Sequence, residues 1–201
     1  MTCDTADTPP EPGRDASEDV GAPITVRTAS AEQTKDLAGA LARALRAGDV
    51  VLLAGDLGAG KTTFTKGLAE ALGITEPVTS PTFTLVRTYP TVRDAGEAAD
   101  PRSVRNLVHA DIFRLDHLRE VADLAIAEML EDGAAAVVEW GDLAAPVLGR
   151  DALVVNLAHG STPDDRCVSF RLTGCWQSRR GELVELLRRW SVERARCARP
   201  G

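Results

Sequence analysis

The spacing of apolar positions changes several times along the chain. Leu37, Leu41 and Leu45 share one helical face, and Ser30 with Gln33 has the spacing of a capping box. A helix is therefore predicted from Ala31 to about Ala47, closed by Gly48. The pattern then becomes continuous: Val50 to Gly55 reads Val-Val-Leu-Leu-Ala-Gly, the mark of a strand buried on both faces of a parallel sheet. Helical spacing returns over Lys61–Leu72 and stops at Gly73. Alternation marks a strand over Phe83–Tyr89 and a second within Asn106–Leu115, and the two could pair. Between them, residues 91–105 are rich in Ala, Gly and charge, and read as an insert. Residues 117–130 read as helix, and Ala134–Trp140 as another buried strand. Strands follow at Leu153–Ala158 and Cys167–Leu172. A last helix, about Arg180–Glu193, carries Leu183, Leu186, Leu187 and Trp190 on one face. Strands and helices interleave, which predicts an α/β sheet flanked by helices, mostly parallel with an antiparallel strand pair.

Composition refines this picture in a few places. The 201 residues suit one domain. No apolar run approaches the roughly 20 residues of a membrane span, and the first residues lack the basic and apolar regions of a signal peptide. No membrane association and a cytoplasmic location are expected. The net charge is −7, but residues 1–23 hold six acids and one base, so most of the acidity belongs to a leader expected to be disordered. Residues 24–173 then form the main domain, and 174–201 a C-terminal amphipathic helix and tail with seven arginines against three glutamates. The four cysteines form no Cys-x-x-Cys pair, so incidental thiols are expected, with no metal or disulfide framework.

The strongest chemical signal lies between the first buried strand and the second helix. Gly55-Asp56-Leu57-Gly58-Ala59-Gly60-Lys61-Thr62 fits Gly-x4-Gly-Lys-[Ser/Thr], with Thr63 following. A polyphosphate needs many donors and close approach without Cβ atoms in the way. The glycines expose backbone N–H groups, and the following helix N-terminus favours negative charge. Lys61 can reach the β- and γ-phosphates and Thr62 can ligate Mg²⁺. A P-loop NTPase-like sheet binding a nucleoside triphosphate is the expectation.

Carboxylates can complete such a site. The run Ala134–Val138 ends in Glu139, at a strand end where open α/β sheets bind ligands, placed to hold Mg²⁺ through water or to orient an attacking water. Strand periodicity puts His109, Asp111 and Phe113 on one face, making Asp111 a candidate second metal carboxylate. His109 is read as a support for Asp111 or as a packing residue. Ser80-Pro81-Thr82-Phe83 has the character of a switch segment, in which Thr82 would contact the γ-phosphate or its metal and Pro81 would stiffen the entry to the strand.

Gly55–Phe64, "SPTFTLV" with its following tyrosine, "HADIFRL" and "VVEWG" occur in one order, and together resemble the TsaE (YjeE) family, the bacterial ATPase of tRNA threonylcarbamoyladenosine biosynthesis. The resemblance covers roughly Ile24 to Leu172. It implies a small ATPase, weak alone, that docks on a heterodimer of the threonylcarbamoyl transferase and its inactive paralogue. That complex modifies adenosine 37 of tRNA, which this chain would meet indirectly. ATP and Mg²⁺ are the implied ligands, and hydrolysis would reset the complex between turnovers. Carried over by motif, Lys61 and Thr62 hold phosphate and metal, Thr82 belongs to the switch, Asp111 and Glu139 support hydrolysis, and Trp140 lies near the nucleotide. Phe113 stands where the family usually has Tyr, and the insert and last helix fall outside the shared motifs. Three other readings stay open. A GTPase would need an Asn-Lys-x-Asp clamp and an Asp-x-x-Gly switch after a strand, both missing. A small-molecule kinase would need an acceptor site, and none is legible. A nucleotide-gated assembly module would need binding but not hydrolysis.

Overall fold

The computed structural model of the protein describes residues 21–92, 100, 102–113 and 125–191. Its strands are β1 (Ile24–Thr28), β2 (Val50–Ala54), β3 (Val86–Pro90), β4 (Asn106–Asp111), β5 (Ala134–Glu139), β6 (Ala152–His159) and β7 (Arg166–Leu172). The helices are α1 (Ala31–Leu41), α2 (Lys61–Ala71), α3 (Ile126–Glu131), α4 (Gly141–Leu148) and α5 (Arg180–Leu187). All seven strands join one sheet in the order β1-β7-β6-β2-β5-β4-β3. The four central neighbours, β6, β2, β5 and β4, run parallel. Antiparallel partners extend both sides: β3 beside β4, and β7 then β1 beyond β6.

The continuous apolar runs form the centre because a strand flanked on both faces must be apolar at every position. Val51, Leu53, Leu107, Ala135 and Val137 face one core with Leu37 and Leu41 of α1, Phe64 and Leu68 of α2, and Leu183 and Leu187 of α5. Their alternates Val50, Leu52, Val108, Ala136 and Val138 face a second core with Ile126 of α3 and Ala144 of α4. The sheet is thereby sandwiched, and its central strands end together at one edge.

The α/β class, the parallel centre and the pairing of β3 with β4 agree with the sequence pattern; other details differ. Helix α1 starts at its Ser30 cap, whose hydroxyl accepts from the Gln33 N–H at 3.1 Å, while the Gln33 side chain accepts from Ala29 N–H at 2.9 Å. It ends at Leu41, short of Ala47. Tighter turns follow, Ala44 N–H to Leu41 O and Leu45 N–H to Ala42 O, which keep Leu45 buried without further helix. The strand predicted from Phe83 starts only at Val86. Leu85 N–H donates to Pro81 O at 2.7 Å, with Leu85 at φ +62°, so residues 81–85 form a turn. Strand β1 and helix α4 fall outside the elements predicted above, and α4 even contains Pro146. The last helix ends at Leu187 and continues as the tight turn Arg188–Trp190. Most of the acidic leader, residues 93–99 and 101 of the insert, residues 114–115 of the strand expected up to Leu115, residues 117–124 of the expected helix and the tail from 192 lie outside the described residues. Cys175 is free and exposed, whereas Cys167 is disulfide-bonded, against the expectation of incidental thiols. Among the described residues no helix is long and apolar enough to cross a membrane.

One buried ion pair locks the base of β2. Asp49 receives both Arg179 terminal nitrogens, at 2.8 and 2.5 Å, and the Arg46 N–H at 2.7 Å. The Arg179 guanidinium lies 3.8 Å from the Trp176 ring centroid and also donates to Ala44 O. Removing one partner of such a pair strands the other charge. Asp49→Ala is therefore expected to lower unfolding free energy by about 3–5 kcal/mol in urea titration; a loss below about 1 kcal/mol would show that the pair is dispensable.

Candidate functional site

Beyond the end of β2 the chain turns through positions that exclude side chains. Gly55 has φ +134°, and a Cβ there would lie 2.2 Å from the Leu157 carbonyl oxygen. Gly58 and Gly60 also have positive φ, and Gly60 caps α2. Ala59 N–H donates to Asp56 O at 3.1 Å, and the first main-chain bond of α2 is Phe64 N–H to Gly60 O at 2.8 Å, which leaves the N–H groups of Gly60 to Thr63 for an external acceptor.

Arg166, which no sequence motif flagged, braces this loop from behind. Its Nε donates to Ala59 O at 2.9 Å and Nη2 to Gly58 O at 3.2 Å, while Nη1 donates to Pro163 O and Asp165 O, both at 2.7 Å. With loop carbonyls turned to the guanidinium, the opposite side of the loop is left to its N–H donors. Asp165, beside it, is buried against Arg27 of β1, so the antiparallel edge supports the loop.

Lys61 is only 5% exposed. Its ammonium donates to Gly55 O at 2.6 Å and Asp56 O at 2.9 Å, and lies 3.8 Å from the Trp140 ring centroid. Trp140 is held at φ +61° between Glu139 and Gly141, where a Cβ would come within 2.5 Å of the Leu52 Cβ. This close approach to β2 turns the Trp140 ring over the loop, where Phe113 packs against it at 4.7 Å.

The parallel register sets Asp111 beside Glu139. Glu139 Oε1 accepts from Thr62 Oγ1 at 2.8 Å and stands 2.9 Å from His109 Nε2. Asp111 Oδ2 accepts from Ser80 Oγ at 2.8 Å and Thr82 Oγ1 at 2.6 Å, and Oδ1 accepts from Phe113 N–H at 3.1 Å. His109 thus serves Glu139, not Asp111 as expected, because the imidazole reaches toward β5 while the switch hydroxyls occupy Asp111.

These groups share one recess of about 420 Å³, lined by Leu57, Gly58, Gly60, Lys61, Thr62 and Thr63 from the loop and α2. Ser80, Thr82, Asp111, Phe113, Glu139 and Trp140 close its other sides. Gly55, Asp56 and Ala59 lie behind, contributing carbonyls to Lys61 and Arg166. Pro81 shapes the switch turn through its carbonyl, and Phe83 points outward at 84% exposure, apart from the recess lining. A larger hollow of about 660 Å³ lies among α1, α2 and α5, where Lys35 pairs with Glu32 and Glu70 and Arg189 with Asp36.

The donor set in the smaller recess suits a polyphosphate with a hard cation. It combines a glycine cradle, one ammonium, a hydroxyl and two carboxylates. Mg²⁺ uses one or two carboxylates and fills its other positions with phosphate and water oxygens. Among the described residues no group of three or more His, Cys, Asp or Glu is assembled.

The model of the TsaE family, described as "Threonylcarbamoyl adenosine biosynthesis protein TsaE", matches residues 28–168. The chain is similar to the tRNA threonylcarbamoyladenosine biosynthesis protein TsaE of Bacillus subtilis, 38% identical over 148 residues, covering 74% of this chain and 85% of that protein. Its counterpart in Streptomyces coelicolor is 42% identical over 134 residues, covering 65% and 84%. Among solved structures, the crystal structure of Bacillus subtilis YdiB superposes with a TM-score of 0.62 at 32% identity, covering 86% of this chain and 98% of that one.

The Arg27 brace has a pH signature. The Arg27 hydrogen bond holds the Asp165 carboxyl below its usual range. A carboxyl depressed on folding contributes its stabilisation in full above the unfolded value of about 4, and loses it as pH falls through the folded value. The stability gap between wild type and Asp165→Asn should be constant above about pH 5 and shrink toward acid in urea titrations. A gap independent of pH would contradict this coupling.

Proposed function

The chain belongs to the TsaE family of threonylcarbamoyl adenosine biosynthesis proteins, and on that premise we propose that it is a P-loop ATPase serving threonylcarbamoylation of adenosine 37 in tRNA. It acts by docking on the heterodimer of the threonylcarbamoyl transferase and its inactive paralogue. The transferase performs the group transfer, and ATP hydrolysis here resets the complex, so that tRNA is met through that complex. Residues 24–173 form the ATPase domain, and the site of action is the cytoplasm. The observation that carries the reading is the convergence of Lys61, Thr62, Asp111 and Glu139 on one recess at the N-terminus of α2.

The chemistry assigns a task to each group. Lys61 and the loop N–H groups bind and orient the β- and γ-phosphates, lowering the cost of charge build-up on the terminal phosphoryl oxygens. Thr62, Asp111 and Glu139 would hold Mg²⁺, which supplies further charge neutralisation when bound. The glycine cradle and the two carboxylates fit that pair of ligands, since Gly58 and Gly60 line the recess without side chains beside Lys61, Thr62, Asp111 and Glu139. Glu139 also orients the attacking water and accepts its proton. Ser80 and Thr82, bonded to Asp111, link phosphate occupancy to the turn at Pro81–Leu85, whose Phe83 and Thr84 are exposed. Trp140 covers Lys61 and excludes bulk water.

Phosphate release from ATP, measured with and without the heterodimer and tRNA, tests the reading. Turnover should be slow alone and rise when both are added. Lys61→Ala should weaken nucleotide binding about 10-fold or more. Glu139→Ala should keep binding and lower stimulated turnover by about 100-fold. Full multiple-turnover modification by Glu139→Ala would make hydrolysis dispensable, and a phosphorylated metabolite in place of free phosphate would make the protein a kinase.

A further inference from the structure

We propose that His109 is a positioning residue for Glu139, fixing which carboxylate oxygen faces the reaction; this rests on the ATPase reading above. His109 lies on β4 and is fully buried, in a face otherwise lined by Leu107 and, on the neighbouring strand, Ala135 and Val137. Its Nε2 stands 2.9 Å from Glu139 Oε1. Its Nδ1 is buried without a hydrogen-bond partner.

The first of these facts assigns the donor. A carboxylate oxygen only accepts, so the proton shared with Glu139 sits on Nε2, and Nδ1 is left without a match. Burying an unmatched ring nitrogen is unfavourable. An aliphatic side chain on this apolar face would avoid that cost, so packing alone does not account for an imidazole here. What the imidazole supplies is a donor rooted in a central strand and aimed at Oε1. Thr62, on the first turn of α2, donates to the same oxygen at 2.8 Å. Two donors on Oε1 pin the carboxylate plane and leave Oε2 to meet water or metal. Asp111 is held by Ser80, Thr82 and the Phe113 N–H instead, so the two carboxylates are anchored separately. The Glu139 anchor is rigid strand, and the Asp111 anchor is the switch turn.

The test compares three substitutions in the full chain with the heterodimer, tRNA and ATP, reading kcat, nucleotide Kd and melting temperature. The terminal amide of Gln extends about as far as imidazole Nε2, whereas that of Asn reaches only the Nδ1 position. His109→Gln should keep stimulated kcat within about fivefold of wild type, while His109→Asn and His109→Leu should lose about 10- to 100-fold, as when a carboxylate's oriented partner is removed. Nucleotide Kd should stay within about twofold in all three, because the phosphate cradle is untouched. Wild-type kcat in His109→Leu would overturn the inference, and so would equal losses in all three that track melting temperature. Glu139→Gln runs alongside. If it abolishes turnover while His109→Leu does not, only the role of His109 falls; if wild type itself releases no phosphate with partners present, the ATPase reading falls with it.

Discussion

The architecture of the site depends on one steric constraint: the Leu157 carbonyl oxygen sits where a Cβ of residue 55 would be. The chain can leave β2 at this angle only as glycine. That departure sends the loop around Lys61 and delivers Gly60 to the head of α2, so the helix begins at the lysine. Arg166 then ties down the carbonyls of Gly58 and Ala59 from outside. Neighbouring strand β6 supplies the wall, and β7 supplies the brace. The antiparallel edge thus determines the shape of a loop that sequence alone assigns to the parallel centre.

The second requirement is that the acids arrive at the same edge. Parallel pairing does this without further instruction, since β2, β5 and β4 all end at the edge where the loop begins. Two adjacent carboxylates would repel if left bare. Each is instead covered by hydroxyl or N–H donors, Glu139 from α2 and β4, Asp111 from the switch turn. The division matters for mechanism. A rigidly anchored Glu139 suits steady orientation of water, and an Asp111 bound to an exposed turn suits communication with a partner.

Much of this was legible from residue order. Continuous apolar runs marked β2 and β5, since burial on both faces leaves no polar position. The glycine spacing marked the loop, and Asp111 and Glu139 were marked by standing at strand ends. What escaped depended on contacts distant in sequence. Strand β1 lies at an edge and alternates over only five residues, too few to stand out alone, and it pairs with β7. Helix α4 breaks propensity rules with Pro146 and is held against β2 through the Gly141–Leu52 contact. Arg166 lies 108 positions from Gly58, and no local spacing could point to it. Phe83 to Leu85 read as the start of a strand because Thr and aromatic content mimics one, yet their backbone belongs to the turn closed by Leu85 N–H on Pro81 O. The neighbouring hydroxyls of Ser80 and Thr82 bond Asp111, a choice invisible without β4 in place.

The central claim is that a single glycine-lined recess grips ATP–Mg²⁺ between Lys61 and the two carboxylates. A crystal structure with Mg²⁺ and a non-hydrolysable ATP analogue tests it most directly. The account predicts phosphate oxygens on the N–H groups of residues 58–63 and on Lys61, with the metal beside Thr62 and at least one of Asp111 and Glu139. Phosphates bound elsewhere, or a metal remote from both carboxylates, would contradict it.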